Sequence, residues 1–316
     1  MGILFYIVKR IIVTIPVLLG MSVLVFSLIH LVPGDPARVM LGLTATPKNI
    51  ATLRDQLGLD QPLWRQYVTW LWNLLHGDLG TDFRSHEPLT QMLLRRLPVT
   101  LELTIFATLI SVIIAIPLGV LGATRRRGTA NIAGTGMSLV GISVPDFWLG
   151  VLLILLFSLR LKWLPPSGYK PITHGLMNNL RYMALPALTL SISLCAVLLR
   201  TTRAAMVDVL EQDFIKFARA KGLRERLVVY KHALRNASIP IVTVLGLQFG
   251  YLLGGAVIVE TMFSIPGLGK MTLNAVNTRS YPIVQGGVLV IGLLFMLVNL
   301  LTDVLYAALN PRIRYE

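Results

Sequence analysis

The sequence has few charged residues and only one cysteine. Asp, Glu, Lys and Arg make up 14% of its 316 residues, whereas hydrophobic residues make up 54%. An ordinary soluble domain contains about 25% charged residues, so this composition excludes that class and is typical of a protein with several membrane spans. Cys195 has no second cysteine with which to pair, which excludes a disulfide within the chain.

Patterns that bind metals or support catalysis are also missing. The five histidines lack the close paired spacing that is typical of a zinc site, and no serine, cysteine or carboxylate pair has the surroundings of a catalytic group. Residues 267–270 (Gly-Leu-Gly-Lys) resemble the end of a phosphate-binding loop, but the full pattern requires Gly at 264 and Ser or Thr at 271. The chain has Ser264 and Met271 there. We therefore expect no metal, no cofactor, no ATP site in this chain and no enzymatic activity.

Six apolar stretches are long enough to cross a membrane as helices, which takes roughly 20 predominantly apolar residues each. They cover residues 11–29, 99–123, 132–159, 184–199, 239–259 and 283–309. The first is too long for the apolar part of a cleavable signal peptide, and no small-residue cleavage site follows it. The sequence therefore predicts an all-α polytopic membrane protein with six transmembrane helices.

Lysine and arginine outnumber aspartate and glutamate by 29 to 15, which by itself would suit a nucleic-acid partner. Their placement favours a lipid bilayer instead. Basic residues flank the predicted spans at Lys9, Arg10, 125–127, Arg312 and Arg314. All of these lie on one side of the membrane if both termini are cytoplasmic. The positive-inside rule therefore predicts that both termini are cytoplasmic. Because the bilayer accounts for these basic residues, we expect no nucleic-acid partner.

The connection between the first two spans is patterned like a folded unit. Pro47 and Pro62 each stand where a helix can begin. The apolar residues that recur on one side of the second helix are Trp64, Tyr67, Val68, Leu71 and Leu75. We expect these helices to pack as a small extracytoplasmic cap on the outer membrane face. The cluster of Trp64, Trp70 and Trp72 is typical of an aromatic belt at the membrane interface.

A second long connection, residues 200–237, has the pattern of a short docking helix. Asp213 stands where it can cap the first turn, and Gly222 stands where a helix can end in a left-handed residue. The residues that recur along one side are Phe214, Phe217, Ala218 and Lys221. A membrane protein rarely needs a two-turn helix with exposed Phe and Ala unless a partner docks there.

Together with residues 232–240 (His-Ala-Leu-Arg-Asn-Ala-Ser-Ile-Pro), this connection resembles the signature loop of binding-protein-dependent ABC importer permeases. Other stretches are similar to the first permease subunit of dipeptide, oligopeptide, glutathione and nickel importers. They are residues 33–36 (Pro-Gly-Asp-Pro), 57–62 (Leu-Gly-Leu-Asp-Gln-Pro), 77–80 (Gly-Asp-Leu-Gly), 163–165 (Trp-Leu-Pro), 185–189 (Leu-Pro-Ala-Leu-Thr), 263–269 (Phe-Ser-Ile-Pro-Gly-Leu-Gly) and 310–314 (Asn-Pro-Arg-Ile-Arg). The general loop reads Glu-Ala-Ala, three residues, then Gly. Lys216 and Phe217 replace its Glu and first Ala, a departure similar to that of the peptide and nickel branch.

The resemblance implies a type I ABC importer permease fold in a plasma (bacterial inner) membrane. Residues 1–94 would form the first helix and the cap, 95–309 the permease domain and 310–316 a cytoplasmic tail. The implied partners are a second permease subunit in a heterodimer, two cytoplasmic ATP-binding subunits and an extracytoplasmic solute-binding protein. The residues expected to couple the chain to the ATP-binding subunits are Asp213, Phe214, Phe217, Ala218, Ala220, Lys221 and Gly222.

Polar residues within the spans point to a translocation path. A carboxylate at the centre of a transmembrane helix costs roughly 2.5–3.5 kcal/mol on insertion scales and usually faces the bundle interior or a wet path. Asp146 lies near the middle of the third stretch, next to Pro145, which is expected to bend the helix, and close to Ser143. We predict that these three residues line the pore, with a structural role for Asp146 as the alternative. Glu102 and Asp303 are expected to form helix-to-helix hydrogen bonds or to lie at the interface.

The substrate class stays open, because the binding protein largely sets selectivity in such systems. Dipeptides or short peptides are the first expectation, glutathione the second, and nickel or a metal chelate the third. A distant alternative is an ion-coupled secondary transporter, which would carry intramembrane ion relays and often repeat-related broken helices. The chain has isolated carboxylates and no visible repeat, so we favour the importer.

Overall fold

The computed structural model describes residues 3–31, 35–42, 45–83, 85–124, 136, 141 and 143–309. The α-helices in these ranges are α1 (Ile3–Leu31), α2 (Pro36–Leu41), α3 (Pro47–Leu57), α4 (Leu63–Leu75), α5 (Leu89–Thr124), α6 (Asp146–Leu153), α7 (Leu176–Leu210), α8 (Asp213–Ala220), α9 (Glu225–Leu227), α10 (Leu234–Met262), α11 (Leu268–Thr278) and α12 (Tyr281–Leu309). Two π-helical segments, Ile154–Arg160 and Val228–Ala233, and a 3-10 turn, Ile172–His174, lie between them. No β-strand occurs in the described ranges, and the all-α prediction is confirmed there.

Five helical segments of the described chain are long and apolar enough to cross a membrane. They are Arg10–Leu31, Leu89–Thr124, Leu176–Leu210, Glu225–Met262 and Tyr281–Tyr306. They match the first, second, fourth, fifth and sixth predicted stretches. Much of the predicted third stretch, 132–159, lies outside the described residues, and its described end forms α6 and the π-helical segment after it. This arrangement agrees with the predicted six spans.

Two helices extend well beyond their apolar stretches. The second stretch was predicted to begin at 99 and the fourth to cover 184–199, whereas α5 begins at Leu89 and α7 runs from Leu176 to Leu210. The helices are longer than the predicted spans, because hydropathy marks only the apolar part of a helix. Both helices continue into polar segments, where packing against the rest of the chain supports them.

The core is built where α5, α7 and α10 pack together. One apolar cluster lies towards the side that carries residues 35–88, here called the cap side, and includes Leu103, Met183, Leu185, Val259 and Phe263. The other lies towards α8 and includes Leu198, Met206, Ile215, Val228 and Ala237. The second cluster therefore joins α8 to the spans.

Small residues bring α5 and α7 close together. Ser111 Oγ on α5 donates a hydrogen bond to the Ser191 carbonyl oxygen on α7 at 2.9 Å. A Cβ on Gly119 would lie 2.7 Å from Thr202 Cβ, so the helices touch where glycine removes the side chain. Such close contacts are the usual basis of helix association in membranes.

The first cap helices begin where the sequence predicts. Thr46 Oγ1 accepts a hydrogen bond from the Asn49 N–H at 3.2 Å, and Pro47 occupies the first turn of α3. Gly58 ends α3 with a φ of 63°, and Pro62 directly precedes α4. The predicted helix starts at Pro47 and Pro62 are thus confirmed.

The cap is attached to the ends of two spans. Met40 of α2 and Leu53 of α3 form an apolar cluster with Ile29 of α1 and Tyr281 of α12. In contrast, α4 has no buried residue, so most of its predicted apolar stripe is not covered by the cap.

Candidate coupling and translocation sites

The helix α8 has eight residues and begins at Asp213. Its N-cap is Gln212, whose backbone is extended and whose side chain makes no capping hydrogen bond. The prediction that Asp213 caps the helix is therefore wrong. Asp213 is the first helical residue, and its carboxylate accepts a hydrogen bond from Lys216 Nζ at 2.8 Å. This bond lowers the pKa of the Asp213 carboxyl, which keeps a negative charge at the positive end of the helix dipole.

The end of α8 is formed as predicted, with Gly222 in the left-handed region at a φ of 75°. The Gly222 N–H donates to the Arg219 carbonyl oxygen at 2.9 Å, and the Leu223 N–H donates to the Ala218 carbonyl oxygen at 3.4 Å. This pair of bonds defines a Schellman motif. A Cβ added to Gly222 would meet no atom within 4 Å. The backbone angle alone therefore favours glycine at this position.

One side of α8 packs against the chain itself. Ile215 is 0% exposed, and Ala218 is buried beside it in the apolar cluster that contains Val228. Ile215 was not among the predicted site residues. The opposite side is open, because Phe217 is 68% exposed and Phe214 is 39% exposed. The predicted stripe is thus divided, since Ala218 faces the permease while the two phenylalanines are available to a partner.

The open side of α8 continues over the segment that follows. Arg219 Nη2 lies 2.7 Å from Glu225 Oε1, and this ion pair joins the end of α8 to the short helix α9. Large apolar side chains stand exposed on α8 and on the residues after it. We define these as the coupling surface, namely Phe214, Phe217, Leu223, Leu227 and Tyr230. The predicted residues Asp213, Ala220, Lys221 and Gly222 are also exposed along this stretch.

A π-helical segment, Val228–Ala233, connects this surface to α10. Val228, Val229 and Ala233 are buried in the same cluster as Ile215. The segment therefore has one side fixed in the core while Tyr230 faces outwards. π-helical turns are rare and frequently mark functional positions.

The three predicted pore residues lie around a helix break. Ser143 is helical, Pro145 is extended with a ψ of 137°, and Asp146 begins α6. The expected bend at Pro145 is therefore present. The half-buried Asp146 accepts a hydrogen bond from Ser193 Oγ on α7, whereas Ser143 and Pro145 are exposed. A close contact brings α6 onto α10, because a Cβ on Gly150 would lie 2.1 Å from Met262 Cε.

The other two predicted intramembrane carboxylates connect helices. Glu102 on α5 accepts hydrogen bonds from Tyr169 Oη at 2.9 Å and from Asn179 Nδ2 on α7. Asp303 on α12 lies 3.0 Å from Arg10 Nη1 on α1. The prediction of a helix-to-helix role is thus confirmed for both. Within the described ranges, no group of three His, Cys, Asp or Glu side chains is placed to hold a metal ion.

Sequence reasoning missed a further carboxylate, Glu260, which is fully buried at the cap-side end of α10. Thr100 Oγ1 on α5 donates to Glu260 Oε1 at 2.6 Å, and the Lys270 N–H in the first turn of α11 donates to Oε2 at 2.8 Å. Thr100 Oγ1 also accepts from the Leu268 N–H at 2.8 Å. The side chain therefore ties three helices together.

The glycines that resemble a phosphate-binding loop serve this carboxyl group. A Cβ on Gly267 would lie 2.1 Å from Glu260 Oε1, and a Cβ on Gly269 would lie 2.8 Å from Val257 Cα. Both positions therefore require glycine, because the backbone passes directly over Glu260 at Gly267 and close against the backbone of α10 at Gly269. The backbone N–H of Lys270, at the end of this loop, donates to the carboxyl group of Glu260.

A cavity of about 570 Å³ opens between the cap, α1 and the start of α12. Its polar lining includes His30, Gln66, Thr69 and Asn73. Gln66 Nε2 donates to the carbonyl oxygens of Leu59 and Gln61 at 3.3 and 2.7 Å, so its Oε1, 3.2 Å from His30 Nε2, is the acceptor in that contact. Of the α4 residues in this lining, Gln66 and Trp70 also contact α1, whereas Thr69 and Asn73 are exposed.

Two family models match nearly the whole chain. The inner membrane component of binding-protein-dependent transport systems matches residues 115–315, and the N-terminal part of the membrane component of such systems matches residues 3–104. The chain belongs to this permease family. It is a transport subunit of a binding-protein-dependent ABC importer and a multi-pass protein of the inner membrane. Asp146, α8 and Glu260 all lie within the longer match.

Relatives of similar length support the same assignment. The permease is 46% identical to the glutathione transport system permease protein GsiC of Pectobacterium atrosepticum, over 98% of this chain and 99% of that protein. It is 40% identical to the dipeptide transport system permease protein DppB of Alkalihalophilus pseudofirmus, over 99% and 100%. It is 42% identical to a putative peptide transport system permease protein of Brucella abortus, over 98% and 99%.

A solved transporter shares the fold of the permease. The inward-facing MetNI methionine ABC transporter superposes on it with a TM-score of 0.57 and 18% identity, covering 71% of this chain and 99% of that chain. The similarity supports the predicted importer permease fold. The permease works with other ABC components.

Proposed function

We propose that the permease forms one half of the translocation pathway of an ATP-driven peptide importer. In this proposal it pairs with a second permease as a heterodimer and binds cytoplasmic ATP-binding subunits through α8. An extracytoplasmic solute-binding protein delivers the substrate. The permease itself contributes the path and the mechanical connection, and two partner subunits hydrolyse ATP.

Short peptides are the substrate class that the relatives favour. The names of those relatives refer to dipeptides, peptides and glutathione, and glutathione is itself a small peptide. Di- and oligopeptides are therefore the first candidate, and glutathione is the second because the relative with 46% identity is named for it.

The observation that carries the coupling role is the two-sided packing of α8. Its eight residues span about 12 Å, which is too short for a helix to be stable alone. Ile215 and Ala218 hold one side in the core that α7 and α10 share, and Phe217 projects from the other. A displacement of a partner bound at Phe217 would therefore move α8 as a rigid body with these spans. Such a movement is what alternation between inward-open and outward-open states requires.

Asp146 is the proposed charge in the pore. Its carboxylate lies at the start of α6, beside the break at Pro145, and it is held by Ser193 of α7. Fixed in this way, it would favour a passing ammonium group, such as the amino terminus of a peptide, by its field rather than by tight binding. Ser143 and Pro145 would line the same path.

The proposed orientation places both termini in the cytoplasm and the cap outside. The basic residues Lys9, Arg10, Arg312 and Arg314 support it through the positive-inside rule. In domain terms, residues 1–94 form the first span with the cap, 95–309 form the permease domain with its coupling loop at 200–237, and 310–316 form the tail.

Reconstitution tests this function directly. The permease is assembled with its sister permease, the ATP-binding subunits and the solute-binding protein in proteoliposomes, and uptake of a labelled dipeptide and of labelled glutathione is followed. We expect uptake only when ATP and the binding protein are both present. Uptake driven by an ion gradient without ATP would contradict the proposal. Titration of the isolated binding protein with both compounds then separates the two substrate candidates.

A further inference from the structure

The polar and apolar sides of α4 are reversed relative to a helix on a water-soluble surface. Gln66, Thr69 and Asn73 line the open cavity, and of these only Gln66 is partly buried. The outward side is apolar and open, with Trp64 69% and Leu75 73% exposed. Val68 and Trp72 are exposed on the same side. Amphipathic helices in water bury the apolar stripe and expose the polar one, so an apolar stripe left exposed along α4 is not what a helix in water shows.

The contacts of α4 place it beside α1 rather than above it. Tyr67 Oη and Ser22 Oγ are 2.8 Å apart, and the Phe26 ring lies 5.4 Å from that of Tyr67 and 5.7 Å from that of Trp70. Ser22 precedes the end of α1 at Leu31 by nine residues, which is about 14 Å along a helix. Half of the hydrocarbon core of a bilayer is about 15 Å thick. The helix α4 therefore lies alongside the half of α1 nearest the cap.

The apolar side of α4 is continuous with the membrane-facing surface of α1. Leu24 and Leu31 of that span are largely exposed, as expected of side chains that meet lipid. On α4 the only charged residue is Arg65, which follows Trp64 at the start of the helix. The exposed apolar side thus suits hydrocarbon over almost the full length of the helix.

We propose that α4 lies within the bilayer leaflet nearest the cap, with Trp64, Val68, Trp72 and Leu75 against phospholipid acyl chains. The helix then separates the polar cavity from lipid, with Gln66, Thr69 and Asn73 on the wet side. This arrangement does not depend on the identity of the transported substrate. It assigns the lipid bilayer as the partner of the exposed apolar side of the cap.

Spin labels test the position of Val68. In a Cys195→Ala background, single cysteines at Val68, Leu24 and Lys48 are labelled in the whole transporter, reconstituted in phospholipid nanodiscs. Leu24 is the lipid reference on α1, and Lys48 is an exposed aqueous reference on α3. Collisions with oxygen, which concentrates in the bilayer, are compared with collisions with a water-soluble nickel chelate. We expect Val68 to favour oxygen over the chelate, as Leu24 does.

Two results would overturn the proposal. A Val68 label that collides with the chelate as readily as the Lys48 label would place α4 in water. A label that is immobilised and shielded from both reagents would place it against another protein.

Tryptophan fluorescence gives an independent measurement without a label. Brominated phospholipids quench indoles that they touch, so the quenchable fraction should fall when Trp64 and Trp72 are both replaced by Phe. Trp70→Phe is the matched control, because Trp70 packs against Phe26 on the other side of α4, and its loss should change the quenchable fraction less. An unchanged fraction in the double variant would refute the lipid contact.

Discussion

At the scale of single residues, Glu260 determines the shape of the cap-side return between α10 and α11. Its two carboxyl oxygens accept hydrogen bonds from Thr100 and from the Lys270 backbone, and Gly267 passes directly over it. Leaving a buried polar group without a partner costs about 1–3 kcal/mol. The return therefore depends on keeping this carboxyl group in place.

Replacing Gly267 with Ala should destabilise the permease. The new Cβ would lie 2.1 Å from Glu260 Oε1, so the carboxyl group or the turn must shift, at about 1–3 kcal/mol. We expect a lower midpoint of thermal unfolding for the purified transporter. Gly254→Ala on α10 is the control, because no atom lies within 4 Å of its added Cβ. Equal midpoints for the two variants would show that the contact with Glu260 does not matter.

Replacing Asp146 with Asn should slow the uptake of cationic peptides selectively. Asn keeps an oxygen for Ser193 but removes the charge, which is worth about 1 kcal/mol to an ammonium group at 4 Å in a water-like medium. Uptake of a cationic dipeptide should then fall roughly fivefold, while uptake of an anionic dipeptide does not fall. Assembly and basal ATP hydrolysis should be retained. An equal loss for both dipeptides, or loss of the complex, would instead indicate a structural role.

Ile215 and Glu260 are the functional residues that were missed in the sequence. Ile215 stands between two phenylalanines that attract more attention, and the side of α8 that turns inwards is decided by contact with Val228, which is distant in sequence. Glu260 lies one residue beyond the predicted fifth span, 239–259, so it was not considered among intramembrane carboxylates. Its place directly after the fifth span would have been the available signal.

At the scale of elements, the two sides of α8 should respond differently to truncation. Phe217→Ala should leave the unfolding midpoint unchanged but weaken ATPase binding by about 2 kcal/mol, or roughly thirtyfold, as for an exposed anchor residue. Ile215→Ala should destabilise the chain by about 2–5 kcal/mol, because it removes buried apolar volume. Binding of the ATP-binding subunits and thermal unfolding are measured for both. Normal ATPase binding by Phe217→Ala would contradict the coupling role.

The Schellman turn after α8 gives a separate prediction for Gly222. A Gly222→Val variant must hold a branched residue at a φ of 75°, which costs about 1–2 kcal/mol or more. We expect the variant to insert in the membrane and lose substrate-stimulated ATP hydrolysis. Gly222→Asn is the matched control, since Asn tolerates the left-handed region, and it should retain most of the activity. Equal activity of both variants would show that this turn is not required.

The ends of α8 illustrate how far element boundaries follow from sequence. Gly222 was predicted correctly because a left-handed terminal residue strongly favours glycine. Asp213 was not, because aspartate is favourable both as an N-cap and in the first turn. Only the extended backbone of Gln212 distinguishes the two, and the sequence does not show that conformation.

At the scale of the whole molecule, the proposed orientation predicts which side of the membrane each loop reaches. Ser85 in the cap and Lys221 after α8 are both exposed. Each is replaced by cysteine in a Cys195→Ala background and treated with an impermeant maleimide. We expect labelling of Ser85→Cys in intact cells and of Lys221→Cys only after permeabilisation. The reverse pattern would place α8 away from cytosolic ATP and end the importer model.

Hydropathy predicts the membrane-spanning helices of the fold, because whether a segment spans the membrane depends on its own residues. The apolar stretches predicted α1, α5, α7, α10 and α12, because a membrane helix satisfies its backbone hydrogen bonds internally. The reversed placement of α4 did not follow. Its stripe at Trp64 and Val68 was predicted, but which side meets the chain depends on contacts with Ser22 and Phe26 of a different helix.

The π-helical segment Val228–Ala233 has a consequence for comparing lengths among related chains. It holds a residue more per turn than an α-helix, so a chain with one residue fewer can keep the helix continuous. The π turn takes up its extra residue locally, so this loss would leave the direction of the segment before it nearly unchanged. A relative with a one-residue gap aligned here would therefore still present the residue at position 217 in the same direction, and the proposed groove of its ATP-binding subunit would not have to change.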